Sequence, residues 1–247
     1  MNWDPDLYRR FERERAQPFF DLISRIPDVP VRAAADLGCG PGQLTRHLAA
    51  KWPQATIWGV DESKEMLERA RGGAPESRLV FVEDDLRQWR APLPLDCIVS
   101  NAALHWVPDH EALLASLSDQ LAPGGVLAVQ IPNNRDEAAF RLMAELVTDP
   151  RPHTVETSEW YLEHLSALGL EAEVWETIYY HQLPDAAAIV EWLKGAALRP
   201  VLSKLDSEAA RELLSRLGEG MAKLYPVGKL EVIFPFRRLF FMARRPA

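Results

Sequence analysis

The stretch AAADLGCGPG at residues 33–42 decides the fold. Its alanines and leucine form an apolar run short enough for a buried strand, and glycines at 38, 40 and 42 turn the chain directly after it. A strand, a glycine turn and a helix make the opening unit of a doubly wound α/β sheet. Such a turn gathers backbone N–H groups at a helix N-terminus and ordinarily attracts phosphate. Asp36, two positions before Gly38, works against that, because a carboxylate repels a pyrophosphate and attracts a cation. A ligand that uses close backbone approach but carries positive charge fits S-adenosylmethionine (SAM), with its sulfonium and amino groups.

Outward from the loop the same alternation recurs. Residues 31–37, 55–60, 79–82, 95–100 and 125–131 read as short apolar strands, and 42–51, 63–71 and 109–121 as helices. Strands alternating with helices predict an α/β fold with a mostly parallel sheet covered on both faces. Upstream, Asp4-Pro5 reads as a helix start, after which Tyr8, Phe11, Arg15 and Phe19 share one helical face. Downstream, 157–168 reads as a helix and 171–183 as a long strand. Residues 184–225 are helical with breaks at Pro200 and near Asp206, and 234–243 reads as a last strand, the seventh. The expected organisation is an N-terminal helical cap (1–30), a cofactor-binding α/β core (31–183), a helical insertion or lid (184–233) and the closing strand of the core sheet (234–247).

Composition narrows the function. The 247 residues are 47% hydrophobic, enough for a sizeable core. A net charge of −8 argues against general nucleic-acid binding, while leaving room for a small anionic substrate in a locally basic pocket. Two cysteines, Cys39 and Cys97, and six scattered histidines form no disulfide framework and no metal-ligand spacing, so no metal is expected. The opening MNWDPDLYRR lacks the apolar region of a signal peptide, and no apolar run is long enough to cross a bilayer. A cytoplasmic location and no membrane partner are expected. The sequence leaves the oligomeric state open.

Ligands of open α/β sheets bind at the carboxyl ends of the strands. Four pieces of the chain fall there. The first is the loop with Asp36, Gly38, Gly40 and Gly42. The second is Asp61, 19 residues past Gly42, an acid able to accept both ribose hydroxyls. The third is Asp84-Asp85-Leu86, where a carboxylate accepts from the adenine amino group and a backbone N–H reaches a ring nitrogen. We assign the ammonium to Asp36, the ribose to Asp61 and the adenine to Asp85. The fourth is the segment from Ser100 and Asn101 to His105 and Trp106, beside the sulfonium. Each piece alone has a plainer reading: glycines turn many strand–helix loops, and Asp61 or Asp85 could simply cap a helix. Four at successive strand ends point to one cofactor site.

Residues 33–131 resemble a class I SAM-dependent methyltransferase. Most of the chain resembles the trans-aconitate 2-methyltransferases more narrowly, through WDPDLYRRFERERAQPFFDL (3–22), SNAALHWVPDH (100–110), WETIYYHQL (175–183), EWLKGAALRPVL (191–202) and FPFRRLFFMARRP (234–246). The resemblance implies esterification of a carboxylate of trans-aconitate or a similar small polycarboxylic acid, with S-adenosylhomocysteine as the other product. It also implies that the last strand runs antiparallel to the others. A carboxylate is ionised at neutral pH, so no general base is required and no residue is assigned a catalytic role. Positioning carries the reaction.

The remaining carboxylates of such a substrate need fixed partners, and arginine suits them. Residues 225–247 hold five basic residues against Glu231 alone, a formal charge of +4 in an acidic chain. Arg237 and Arg238 open the last strand, where neighbours face opposite sides, so one of the two is expected at the acceptor. Tyr8, Arg15, His105, Trp106 and Arg199 complete the substrate candidates. Arg244-Arg245 reads as a solvated tail. Three other readings compete: a SAM-dependent methyltransferase with a carbon or nitrogen acceptor, a non-catalytic SAM-binding module, and a nicotinamide-dependent oxidoreductase. Asp36 and the absence of a GxGxxG spacing count against the last.

Overall fold

A computed structural model of the chain describes residues 12–73, 77–147, 154–195, 197–228 and 231–247. The start signal at Asp4-Pro5 and the candidate Tyr8 lie outside them. In chain order the elements are α1 (Glu12–Arg25), β1 (Ala33–Leu37), α2 (Gln43–Lys51), β2 (Thr56–Asp61), α3 (Lys64–Arg71), β3 (Leu79–Glu83), β4 (Leu95–Asn101), α4 (His110–Asp119), β5 (Leu121–Pro132), α5 (Ala138–Leu146), α6 (Ser158–Ala167), β6 (Glu171–Leu183), α7 (Ala186–Lys194), α8 (Arg199–Leu202), α9 (Ser207–Leu224) and β7 (Val232–Arg244).

The seven strands form one sheet in the order β3-β2-β1-β4-β5-β7-β6. The first five pair in parallel, with β1 between β2 and β4. Backbone bonds join Asn133 to Arg237, Gly124 to Arg245 and Arg245 to Gly125, so numbers rise along one strand as they fall along the other. β7 is therefore antiparallel to β5, as the resemblance implies. The order reverses at β1 and β4, and the carboxyl ends of these strands carry the glycine loop and the segment after Asn101.

Sequence and structure agree on each strand, with boundaries moved by a few residues. The largest shift is in β5, which begins at Leu121 rather than Gly125. The Pro123-Gly124-Gly125 turn is absorbed as an irregularity, where Leu95 pairs with Leu121 but Cys97 with Val126. Glycine is required there: Gly124 has φ +78°, and a side chain on Gly125 would sit 2.7 Å from the Leu95 carbonyl. Arg244 and Arg245 are not a free tail, since their guanidinium groups donate to the carbonyls of Gly124 and Leu121. Pro200 does not end a helix but lies in the first turn of α8, where its missing N–H costs nothing.

The chain divides into two compact units. One contains residues 16–132, 153–177 and 239–247. Its core is built from Ala35, Leu37, Val60, Ile98, Leu127 and Val129 of the strands, with Leu113, Leu117, Tyr161 and Leu165 of the helices. The other contains 133–152 and 178–238. Here α9 packs on α5 and α7, around Ile189, Trp192, Leu217, Met221, Phe234 and Phe236. The close approach of α9 to α5 uses Gly220, where a Cβ would meet Leu142 at 2.4 Å.

Candidate functional site

The glycine loop leaves β1 with three left-handed residues, Gly38 (φ +76°), Gly40 (φ +53°) and Gly42 (φ +76°), a conformation that costs other residues strain. The three differ in what surrounds them. A Cβ on Gly38 would lie 2.1 Å from Ala103 Cβ, so this glycine lets the loop touch the segment after β4. A Cβ on Gly42 would strike Phe81 and Ala70 at 2.8–2.9 Å, so this one lets α2 start close to its neighbours. A Cβ on Gly40 would meet nothing within 4 Å. The half-buried crest of the loop is thus bare backbone, a shape that admits a ligand.

Two carboxylates underlie that crest. Asp36 is 3% exposed and accepts from Thr45 Oγ1 at 2.6 Å. Burial raises its pKa from 3.8 to about 6; the Thr45 bond opposes the shift and the Asp61 charge adds to it. Asp61, at the end of β2, accepts from Gly40 N–H at 2.9 Å through Oδ2 and from Ser63 N–H at 2.8 Å through Oδ1. It is therefore a brace of the loop, and each oxygen keeps a second lone pair. No described lysine or arginine pairs with either acid. The local charge favours a cationic ligand over phosphate. Cys39 is buried in the same loop, and desolvation pushes its thiol well up, so it is not a nucleophile.

After β3, Asp84 Oδ1 accepts from Asp85 N–H at 2.8 Å. The Asp85 carboxylate accepts from Arg87 Nε at 2.9 Å, from Arg87 Nη2 and from the Arg87 backbone N–H. These bonds hold its pKa down at about 2. Asp85, the residue assigned to adenine from sequence, is thus engaged by a neighbour two positions away, whereas Asp84 keeps Oδ2 for another partner. Leu86 packs against the core of its unit. After β4, Ser100 donates to the Leu37 carbonyl at 2.8 Å, tying the ends of β1 and β4 together. Asn101 holds a buried Oδ1 with no hydrogen bond. Ala102 has φ +54°, and a 3₁₀ turn over Leu104–Trp106 follows. It carries the His105 ring beside the 48% exposed Trp106, with centroids 4.5 Å apart. Gly38, Gly40, Gly42, Asp36, Asp61, Asn101 and this turn come together at the switch point of the sheet, within one unit.

The basic candidates resolve differently. Arg238 is 5% exposed, with its guanidinium 4.4 Å over the Phe236 ring. It lies near His181, which burial, and then the Arg238 charge, hold down to a pKa of about 4. His181 is therefore neutral at pH 7, against Trp192 at 4.7 Å. Arg237 instead donates to Glu137 Oε1 at 3.2 Å, and its backbone N–H donates to Asn134 Oδ1. Arg199 is exposed on α8, and Arg15 lies in α1. No group of described residues could hold a metal ion, and no described helix is long and apolar enough to cross a membrane.

Sequence reasoning missed His110, Tyr161 and Thr154, which hold the 3₁₀ turn from behind. One signal was available: His110 stands three, four and seven residues before Leu113, Leu114 and Leu117, on the apolar face of the same helix.

Residues 34–125 match a family model described as a methyltransferase domain. The whole chain is 43% identical to a trans-aconitate 2-methyltransferase of Streptomyces avermitilis, covering 100% of this chain and 98% of that protein. It is 46% identical to one of Streptomyces coelicolor (99% and 87%) and 40% identical to one of Klebsiella pneumoniae (99% and 98%). Among solved structures, phosphoethanolamine N-methyltransferase 2 of Haemonchus contortus, in complex with S-adenosylhomocysteine, superposes with a TM-score of 0.62 at 18% identity, over 94% of this chain and 53% of that one. A SAM-dependent methyltransferase of Mesorhizobium loti gives 0.58 at 22%, over 94% and 99%.

Proposed function

Because this chain belongs to the trans-aconitate 2-methyltransferase family, and so is a SAM-dependent methyltransferase, we propose that it esterifies one carboxylate of trans-aconitate or a close polycarboxylic relative. The observation that carries the cofactor half of this reading is the bare backbone at Gly40 above two carboxylates that no described cation neutralises. When bound, SAM supplies a methyl group already activated by the sulfonium.

The chain's own residues then bind and orient. Asp36 faces the ammonium group, whose charge stabilises the ionised carboxylate that burial disfavours. Asp61 uses its second lone pairs on the ribose hydroxyls while it holds Gly40 in place. The turn 84–86 takes the adenine, with Asp84 as the carboxylate and the Asp85-Leu86 backbone as the donor. This revises the assignment to Asp85, whose oxygens Arg87 occupies. Gly38 and Gly42 set the loop, and Asn101 offers an amide beside it. On the acceptor side, His105 and Trp106 wall the site. Arg238, a buried cation among aromatic rings, holds a carboxylate that is not methylated, and Arg237 keeps its pair with Glu137. An acceptor oxygen that is already ionised needs no proton removed, so orientation and exclusion of water carry the rate. The protein acts in the cytoplasm on a small anionic acid.

The test is to incubate the protein with SAM and a panel of mono-, di- and tricarboxylic acids, measuring S-adenosylhomocysteine release and the methanol freed from product by alkali. Base-labile product from trans-aconitate or another small polycarboxylate supports the reading. Turnover only with amine or carbon acceptors, giving base-stable product, overturns it.

A further inference from the structure

We infer that His110 is a positioning residue that sets the acceptor-side turn Leu104–Trp106 through a hydrogen-bond chain running back to α6. The inference rests on the proposed reading only in calling this turn acceptor-side.

The chain of bonds fixes its own direction. His110 is 5% exposed, and its Nε2 lies 2.9 Å from the Leu104 carbonyl oxygen. A carbonyl only accepts, so Nε2 carries the proton and Nδ1 is left as an acceptor. Tyr161 Oη lies 2.5 Å from Nδ1 and must therefore donate to it. That oxygen in turn accepts from Glu156 N–H at 3.3 Å. Tyr161 is fully buried and stacks on Phe241 at 4.9 Å, so the far end of the chain is fixed by packing. A second tie arrives from the same stretch: Thr154 Oγ1 donates to the His105 carbonyl at 2.5 Å. Consecutive carbonyls of the 3₁₀ turn are thus held from behind, at Leu104 by His110 and at His105 by Thr154. The side chains of His105 and Trp106 project from this clamped backbone. Packing alone could have used a leucine at 110, as it does at 113, 114 and 117 of the same helix. A buried imidazole whose two nitrogens are both satisfied specifies one orientation of the turn, which an apolar contact does not.

Two substitutions separate positioning from bulk. The amide of His110→Gln reaches the place of Nε2 and keeps a donor for Leu104. The shorter amide of His110→Asn reaches the place of Nδ1, keeps an acceptor for Tyr161 and loses the Leu104 bond. The experiment measures hydrogen exchange at the Trp106 and Val107 amides, which bond within the turn to Ala103 and Leu104. It also measures SAM affinity, and kcat and KM for the best acid. His110→Asn is expected to speed exchange at these two amides at least tenfold, keep SAM affinity within about threefold, and lower acceptor kcat/KM at least tenfold. His110→Gln is expected to restore both readouts to within about threefold of wild type. Equal exchange in wild type and both variants overturns the inference, as does His110→Asn with undiminished acceptor kcat/KM. If wild type methylates no carboxylic acid, the functional reading fails separately, and the exchange contrast still decides whether His110 sets the turn.

Discussion

Replacing Asp61 with alanine tests the cofactor site where its geometry is most explicit. The carboxylate accepts from Gly40 N–H at 2.9 Å and from Ser63 N–H at 2.8 Å. The substitution therefore removes an anchor of the glycine loop and the acceptor for the ribose hydroxyls together. A hydrogen bond to a charged group contributes about 1.5–3 kcal/mol. One ribose bond lost without replacement weakens SAM by that amount, about 10- to 150-fold in Kd. Water can reach this half-buried group, which places the expected effect toward the lower half of the range. The loop bonds appear in stability: Gly40 and Ser63 lose their acceptor, for about 1–3 kcal/mol in total, or a fall in Tm of about 2–4 °C per kcal/mol for a protein of this size. Asp61→Asn keeps one acceptor oxygen without the charge and should fall between. The assay is calorimetric titration with SAM beside thermal unfolding. A folded Asp61→Ala protein with SAM affinity within twofold of wild type refutes the reasoning.

The glycines should separate by surroundings. Gly38→Ala adds a methyl 2.1 Å from Ala103 at φ +76°, for about 2–5 kcal/mol of left-handed strain and overpacking together. Gly40→Ala, with nothing within 4 Å, carries only the strain of about 1–2 kcal/mol yet should lose SAM; similar urea-unfolding losses for both would contradict this. Asp36, raised from 3.8 to about 6, binds a proton more tightly folded than unfolded, so its stabilising contribution is full below pH 3.8 and is lost as pH rises through 6. Asp36→Asn should raise Tm over wild type at pH 7.5, by at most about 3 kcal/mol of stability, with the gain vanishing near pH 4 and SAM affinity falling; scanning calorimetry showing no gain at pH 7.5 would sink the burial argument. Arg238→Met should lower acid kcat/KM at least tenfold with SAM affinity kept. Arg237→Met, which breaks a partly exposed pair worth about 0–1 kcal/mol, should stay within about threefold; steady-state kinetics giving the reverse order would move the anion site.

The fold was legible because its signals are local. Apolar runs at 31–37, 55–60 and 95–100 are bounded by turn residues, and each became a strand of the parallel sheet, at 33–37, 56–61 and 95–101. What escaped depends on neighbours distant in sequence. The start of β5 is set by pairing Leu121 with Leu95, which no local pattern encodes. The acids at strand ends were visible, but not that Asp61 would also brace Gly40, nor that Arg87 would occupy Asp85. Alternation indicated that Arg237 and Arg238 part company. Which one is buried depends on Phe236, Trp192 and His181, contributed by separate elements. His105 drew notice because it adjoins Trp106 in a recognisable segment. His110 did not, because a histidine at a helix start looks like an ordinary capped turn until Tyr161, 51 residues later, is seen against it.

The central claim is transfer of a methyl group to a carboxylate oxygen. It is tested most directly by incubating the protein with SAM carrying a ¹³C-labelled methyl and trans-aconitate, and following the label by proton–carbon NMR. The account predicts one new ester methyl signal, appearing in step with S-adenosylhomocysteine and slowed in Asp61→Ala at SAM concentrations near the wild-type Kd. SAM that binds with the label never leaving it for trans-aconitate or any other small polycarboxylic acid would contradict the account.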